Sequence, residues 1–467
     1  MATTPKHYFQ EANFALKGLT ILRSLKEEDQ VLCLFEQFLE EVLKDKKSIE
    51  AVFEKYHQLL GKLMEHSLTT PFSPTGNLWQ DYLLDRLLLF EEQLVFQLAL
   101  KGAKGLARPV TTALEKDLRA LGFLFGLNAE KLKLEVEAAC QKGARQGINP
   151  DWQFSTWGNN RVNLPSFYLN KENVDSALGL KLRFYEDQDD WGRQLEVLAQ
   201  HYRESGIGDF GLYHAFRFQK NGSDCFLKPI SDPDPIRLSD LVGYEKQKEQ
   251  VIRNTMQFMN GFPANNLLFY GDRGTGKSST IKSLVHEFGK KGLRMIEMTK
   301  RDLKDLPFVL DAIRYRNHRF IIFIDDLSFE EGEDDYKHLK AVLEGSLEAK
   351  PKHVLIYATS NRRHLIKEKF SDRDWTGDEE VRAQDTLQEK LSLGDRFGMT
   401  ITFTTPDQEQ YLQIVEGLAR LERIGVESEI LREKALKWAL WHNGRSGRTA
   451  RQFIDDLTGR MGMKNGS

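Results

Sequence analysis

Eight consecutive residues carry the most specific chemistry in this chain: Gly271, Asp272, Arg273, Gly274, Thr275, Gly276, Lys277 and Ser278, a complete G-x-x-x-x-G-K-[ST] pattern. Glycines at these spacings let backbone N–H groups curl around phosphate oxygens, and a helix that follows turns its positive end toward them. A lysine in this frame reaches β- and γ-phosphates, and the serine hydroxyl suits Mg²⁺. Ser279, directly after the motif, is counted with the nucleotide contacts. The flanks are those the chemistry demands, with an apolar run Leu267-Leu268-Phe269-Tyr270 before the glycines and a helical pattern after them.

A second feature lies about 50 residues downstream, where Phe320-Ile321-Ile322-Phe323-Ile324 runs straight into Asp325-Asp326. An apolar strand ending in acid places carboxylates at the C-terminal edge of a sheet, where open α/β folds bind ligands. Asp325 is expected to hold Mg²⁺ through water, and Asp326 to polarise the attacking water. Alone, a strand ending in two aspartates says little, because acids often terminate strands. Paired with the glycine loop it is a strong signal.

These residues need a scaffold. From about residue 236 the chain alternates apolar strands with helices. The pattern predicts strands at 266–270, 294–298, 320–324, 354–358 and 399–403, with helices at 277–288, 302–316 and 336–347. Fully apolar strands separated by helices imply a parallel sheet covered on both faces. After Pro406 the pattern is helical again and predicts a small cap. Upstream, Val31, Leu34, Phe35, Phe38, Leu39, Val42 and Leu43 fall at helical spacing, as do Ile49, Val52, Phe53, Tyr56, Leu59, Leu60 and Leu63. Further helices are expected over 82–100, 111–125, 129–141 and 190–204, and a packed Trp- and Asn-rich loop over 150–167. Asn221-Gly222 between two alternating runs predicts a β-hairpin. The stiff Asp-Pro segment at 231–235 reads as the main boundary. The expected domains are therefore a mostly helical region at 1–205, a hairpin and linker at 206–235, an α/β nucleotide-binding domain at 236–404 and a helical lid at 405–467.

Over roughly 236–465 the sequence resembles the AAA+ ATPases, whose Walker A and Walker B motifs stand where the two features above lie. More narrowly it is similar to an uncharacterised bacterial branch of AAA+ ATP-binding proteins with an added N-terminal region. The resemblance implies a sensor 1 at Asn361, an arginine reaching into a neighbouring subunit's site at Arg396, and a sensor 2 arginine at Arg448. It also implies an adenine pocket from Leu241-Val242-Gly243-Tyr244, so Val242 and Gly243 join the expected nucleotide contacts. One departure stands out. Many members carry Asp-Glu at Walker B, and this chain has Asp325-Asp326. The shorter base implies a longer water contact or help from Glu330 or Glu331, and slower turnover.

Composition narrows the rest. The 467 residues carry 66 Lys and Arg against 69 Asp and Glu, a formal charge of -3, so there is no global basic footprint for nucleic acid or anionic membrane. The three cysteines, Cys33, Cys140 and Cys225, are far apart, which excludes a disulfide framework and points to a reducing, cytoplasmic setting. No leader pattern opens the sequence, no stretch reads as a membrane span, and the 11 His form no metal-binding spacing. The expected activity is ATP hydrolysis with Mg²⁺, coupled to remodelling or positioning of an unknown protein client. The expected assembly is a homo-oligomer with active sites at subunit interfaces. Two other readings remain open: a nucleotide-gated switch with negligible turnover, and a nucleic-acid-associated loader. The loader is less favoured, since only Arg445, Arg448 and Arg451, three residues apart, speak for it. The long charged stretch 362–391 is expected to order against a neighbouring subunit.

Overall fold

The structure, a computed structural model, describes residues 5–44, 48–69, 75–128, 176–187, 190–329, 335–344, 350–361, 394–442 and 444–465. It divides into two units, Met1–Leu212 and Tyr213–Ser467. The helix expected at 129–141, the loop expected at 150–167, Cys140, Glu330, Glu331 and the stretch 362–391 lie outside the described residues.

Every regular element among the described residues of the first unit is helical. Its α-helices are α1 (Pro5–Lys17), α2 (Arg23–Glu28), α3 (Gln30–Leu43), α4 (Ile49–Thr69), α5 (Leu78–Leu89), α6 (Gln93–Lys101), α7 (Arg108–Phe125), α8 (Ser176–Glu186), α9 (Leu195–Ser205) and α10 (Asp209–Leu212). Short polar side chains start them. Asp29 accepts from the amides of Val31 and Leu32 at the head of α3, and Asn77 accepts from Trp79 and Gln80 at the head of α5. Val31, Phe35, Phe38, Leu39 and Val42 then bury one face of α3 against Val52, Tyr56, Leu59 and Leu63 of α4. The single helix expected over 82–100 is two. It breaks at Phe90-Glu91-Glu92, because the last carbonyls of α5 are claimed from elsewhere in the fold. Tyr202 donates its hydroxyl to the Leu87 carbonyl, and the Gly208 amide bonds the Leu88 carbonyl at 3.1 Å.

The second unit holds a seven-stranded sheet in the order β2-β1-β4-β5-β6-β3-β7. Its strands are β1 (Ala215–Asn221), β2 (Asp224–Pro229), β3 (Leu267–Gly271), β4 (Leu293–Met298), β5 (Arg319–Ile324), β6 (Val354–Ser360) and β7 (Met399–Phe403). All neighbouring pairs run parallel except β1 with β2. The helices of this unit are α11 (Glu245–Met259), α12 (Lys277–Phe288), α13 (Leu306–Ile313) and α14 (Asp335–Glu344), followed by α15 (Gln408–Leu421), α16 (Ser428–Trp441) and α17 (Gly447–Asn465). β5 from Phe320 to Ile324 and all of β6 are buried, the signature of a sheet covered on both faces. Phe269, Ile321, Phe323, Leu355, Tyr357 and Phe403 share one core with Val251, Phe258, Ile281, Leu284 and Phe288 from the helices. The helix expected at 302–316 starts instead as a 3₁₀ segment, Lys300–Asp305, and becomes α-helical at Leu306, where Pro307 falls in the first turn that needs no N–H from it.

The hairpin departs from expectation. Its β1 edge pairs parallel with β4, Phe216 opposite Ile296, so it extends the sheet instead of linking two domains. The reason is in its alternation: Phe216 and Phe218 are buried, and an isolated two-stranded ribbon offers no core to bury them in. The last three helices form a separate small core, the lid, around Tyr411, Ile414, Val415, Leu431, Ala435, Phe453 and Ile454.

Candidate functional site

β3 ends at Gly271, and α12 begins at Lys277. The bend of residues 271–276 needs backbone that only glycine adopts easily. Gly271, Gly274 and Gly276 have φ of 142°, 76° and 90°. A side chain at Gly271 would lie 1.8 Å from the Phe403 carbonyl oxygen of β7, so the loop is pressed against the neighbouring strand. Thr275 closes the bend by donating its hydroxyl to the Asp272 carbonyl at 2.8 Å. Asp272, an acid in a loop built for anions, turns away from the cradle. Its carboxylate accepts from the Thr405 amide at 3.1 Å and from the Thr405 hydroxyl, next to the start of the lid.

Lys277 is buried and its ammonium spends all three protons inside the site. It donates to the carbonyls of Gly271 and Asp272 at 2.7 Å each and to Asn361 Oδ1 at 2.9 Å. Burial pushes its pKa below the ordinary lysine value, opposed by the carboxylates of Asp272, Asp325 and Asp326. Ser278 Oγ donates to Asp325 Oδ1 at 2.6 Å. A hydroxyl and a carboxylate this close are hard oxygen donors of the kind Mg²⁺ takes beside a triphosphate, and the positive-φ glycine bend is a cradle any Cβ would disturb. The residues present therefore fit Mg-nucleotide.

Asp326 has φ of 50°, a left-handed residue just beyond β5. Asn361, just past β6, donates its Nδ2 to Asp326 Oδ1 at 2.8 Å. Thr359 of β6 is the residue that sequence reasoning passed over. Its hydroxyl contacts Asp325 Oδ1 at 2.6 Å and the Asp326 amide at 2.9 Å. The visible signal was the pair of polar residues Thr359 and Ser360 that closes an otherwise apolar strand just before Asn361.

The lid closes the other side. The Arg448 amide donates to the Gly274 carbonyl at 3.1 Å, and the cavity of about 570 Å³ between lid and loop is lined by Arg448 together with Val242, Gly243, Arg273, Lys277, Ser278, Ser279, Asp325, Asp326 and Asn361. Leu241, Ile414 and Leu418 add apolar side chains to its lining. Tyr244, at φ of 56°, donates its hydroxyl to the Thr404 carbonyl at 2.7 Å. Burial and the nearby Asp272 charge push that phenol up to about 12.

Arg396, expected to act in a neighbouring subunit's site, lies away from the cavity of its own chain. It is not among the lining residues. It precedes the N-terminal end of β7, whereas the loop follows the C-terminal end of β3, and these strands run parallel with Leu267 opposite Met399. One strand of that length separates them by roughly 15 Å. Of the three arginines Arg445, Arg448 and Arg451, the last two lie one turn apart on α17 and the first stands outside it. Arg445 precedes α17, whereas Arg448 and Arg451 both line the cavity, Arg451 also pairing with Glu422 at 2.7 Å.

Fold and site together have the architecture of the P-loop AAA+ fold class: a mostly parallel sheet flanked by helices, a glycine loop leading into a helix, two acids directly after β5, and a helical lid. The chain belongs to the DUF815 family, described as "Protein of unknown function", which matches residues 211–461. Two solved structures of RuvB from Thermotoga maritima are similar in part. A point mutant is 15% identical, covering 50% of this chain and 68% of that one, with a TM-score of 0.36. The RuvB Holliday junction branch migration motor is 13% identical, covering 48% of this chain and 72% of that one, with a TM-score of 0.31. No curated protein matches the sequence. Among the described residues no helix is long and apolar enough to cross a membrane.

Proposed function

We propose that this chain is an ATPase that binds Mg-ATP between loop and lid and couples hydrolysis to remodelling or positioning of a protein partner. One observation carries the reading: Lys277, Ser278, Asp325, Asp326 and Asn361 converge by hydrogen bonds of 2.6–2.9 Å on one cavity, from three different strand ends. Ser278 and Asp325 would hold Mg²⁺ through their oxygens, and the ion would supply positive charge against that developing on the phosphates. Lys277 exchanges its carbonyl partners for phosphate oxygens. Asp326 orients water, and Asn361 holds Asp326 in place. Arg448 reports the phosphate to the lid, whose helix already touches the loop at Gly274. The apolar side chains of Leu241, Val242, Ile414 and Leu418 take the base.

The position of Arg396 supports action on a second copy of the chain, because it stands at the sheet edge away from its own cavity. A homo-oligomer with sites at subunit interfaces follows from that reading. The free cysteines Cys33 and Cys225 suit a cytoplasmic setting. A second reading, the nucleotide-gated switch, is favoured by one feature: Asp326 is a short acid already engaged by Asn361. The nucleic-acid loader stays the less favoured reading, since Arg448 and Arg451 both line the nucleotide cavity and Arg451 also pairs with Glu422.

Calorimetry with ATP, with and without Mg²⁺, followed by phosphate release across a protein concentration series, tests the proposal. Mg-dependent uptake with superlinear turnover is the expected result. Tight binding with no turnover at any concentration selects the switch, and no uptake by folded protein overturns both.

A further inference from the structure

We propose that Thr359 is a positioning residue for the acidic pair, one hydroxyl setting the geometry of both the Asp325 carboxylate and the Asp326 backbone. The inference rests on the nucleotide-site reading above and extends it to Thr359, which lines the same cavity and acts through the two acids. Three contacts converge on this one residue at the end of β6. Its hydroxyl donates to Asp325 Oδ1 at 2.6 Å and accepts the Asp326 N–H at 2.9 Å, while its carbonyl accepts the Leu327 N–H at 2.7 Å. The hydroxyl has one proton and two lone pairs, so both of its bonds are made at once. Thr359 is 2% exposed, and Leu327 is fully buried, so the arrangement is shielded from competing water.

This explains why the chain leaves β5 through a left-handed residue. A non-glycine φ of 50° is unfavourable and persists where surrounding bonds over-determine it. Thr359 supplies those bonds from both sides of the Asp326 peptide: its hydroxyl takes the amide of Asp326 and its carbonyl the amide that follows. Turned in this way, Asp326 presents its carboxylate to Asn361. Asp325 gains separately. It receives two hydroxyl donors on one oxygen, Ser278 and Thr359. Ser278 has to reorient when it becomes a metal ligand, and Thr359 then keeps the carboxylate in place.

Replacing the hydroxyl by a methyl isolates the effect. Thr359→Val keeps the shape and the backbone bond to Leu327 and removes both hydroxyl bonds. ATP affinity measured by calorimetry without Mg²⁺ should stay within about twofold of wild type. The gain in affinity on adding Mg²⁺ should shrink by about 10–100-fold, as for other residues that orient metal ligands, and kcat should fall by a similar factor. Thr359→Ser should restore both. The ratio of the two affinities does not depend on the fraction of folded protein, so a destabilised valine variant still gives a reading. A valine variant with the wild-type Mg²⁺ gain overturns the assignment, and so does a serine variant that fails to recover it. Wild-type protein that takes up no ATP overturns the nucleotide reading and this assignment with it.

Discussion

Lys277 and Asn361 meet across the site, the lysine ammonium donating to Asn361 Oδ1 at 2.9 Å while the same amide donates its Nδ2 to Asp326 at 2.8 Å. One asparagine thus spans the cation that grips phosphate and the acid that orients water. Phosphate oxygens compete with Asn361 and with the Gly271 and Asp272 carbonyls for the same three protons. Lys277→Ala removes this cation, and two charge-assisted bonds at about 1.5–3 kcal/mol each correspond to a loss of ATP affinity of at least about 100-fold. Calorimetry measures it, and an unchanged affinity would remove Lys277 from the site.

The lid rests on the loop so closely that one methyl group should register. An alanine Cβ at Gly274 would lie 3.0 Å from both Arg448 Cβ and Ser446 Oγ, at φ of 76°. Gly276 has φ of 90° but open space around it. Both substitutions pay the backbone cost of about 1–2 kcal/mol. Gly274→Ala alone should also unseat the start of α17, seen as faster amide exchange at Arg448. Equal exchange in the two variants would show that the lid does not depend on this contact.

Arg396→Ala should keep ATP binding and lose about 10³-fold or more in turnover, the scale of an arginine acting from a neighbouring subunit. Mixing it with Lys277→Ala protein should recover some activity, because the second variant supplies the arginine and the first the intact loop. Wild-type turnover by Arg396→Ala alone would remove it from the chemistry.

In the helical unit, burial pushes the Asp81 carboxyl up to about 6, against the opposing pull of the Thr75 hydrogen bonds and the Lys181 charge. Its Oδ1 accepts the Thr75 amide at 3.0 Å, and its buried Oδ2 has no partner. An acid with a raised folded pKa is held more tightly in its protonated form. Its contribution is therefore fully present below about pH 4, declines between about 4 and 6, and becomes a full cost above that, on the order of 3 kcal/mol. Asp81→Asn does not titrate. Urea titrations at pH 4 and 7 should show the variant gaining about 2–3 kcal/mol on wild type between the two. Parallel stabilities at both pH values would contradict a raised Asp81.

Much of the α/β unit was legible from local pattern. The run Phe320–Ile324, the glycine bend and the helix at Lys277 are dictated by short-range rules: apolar continuity, positive φ at glycine, and a helix start directly behind the bend. Each of these is settled within a few residues. The pieces that escaped depend on distant partners. The break after α5 is made by Tyr202 and Gly208, more than a hundred residues away, and the hairpin's place in the sheet is decided by β4.

What the sequence determined by itself is the inventory of the site and the class of ligand it suits, because a G-x-x-x-x-G-K-[ST] bend and a strand ending in two acids state their chemistry in contiguous residues. Tertiary structure alone decided how that inventory is joined. Only with β6 beside β5 does Thr359 reach both acids, only with the lid folded back does Arg448 face the cavity, and only with β7 parallel to β3 does Arg396 stand at the opposite edge. Contacts between strands and helices far apart in the chain are set by packing and register, and neither is written in any single segment.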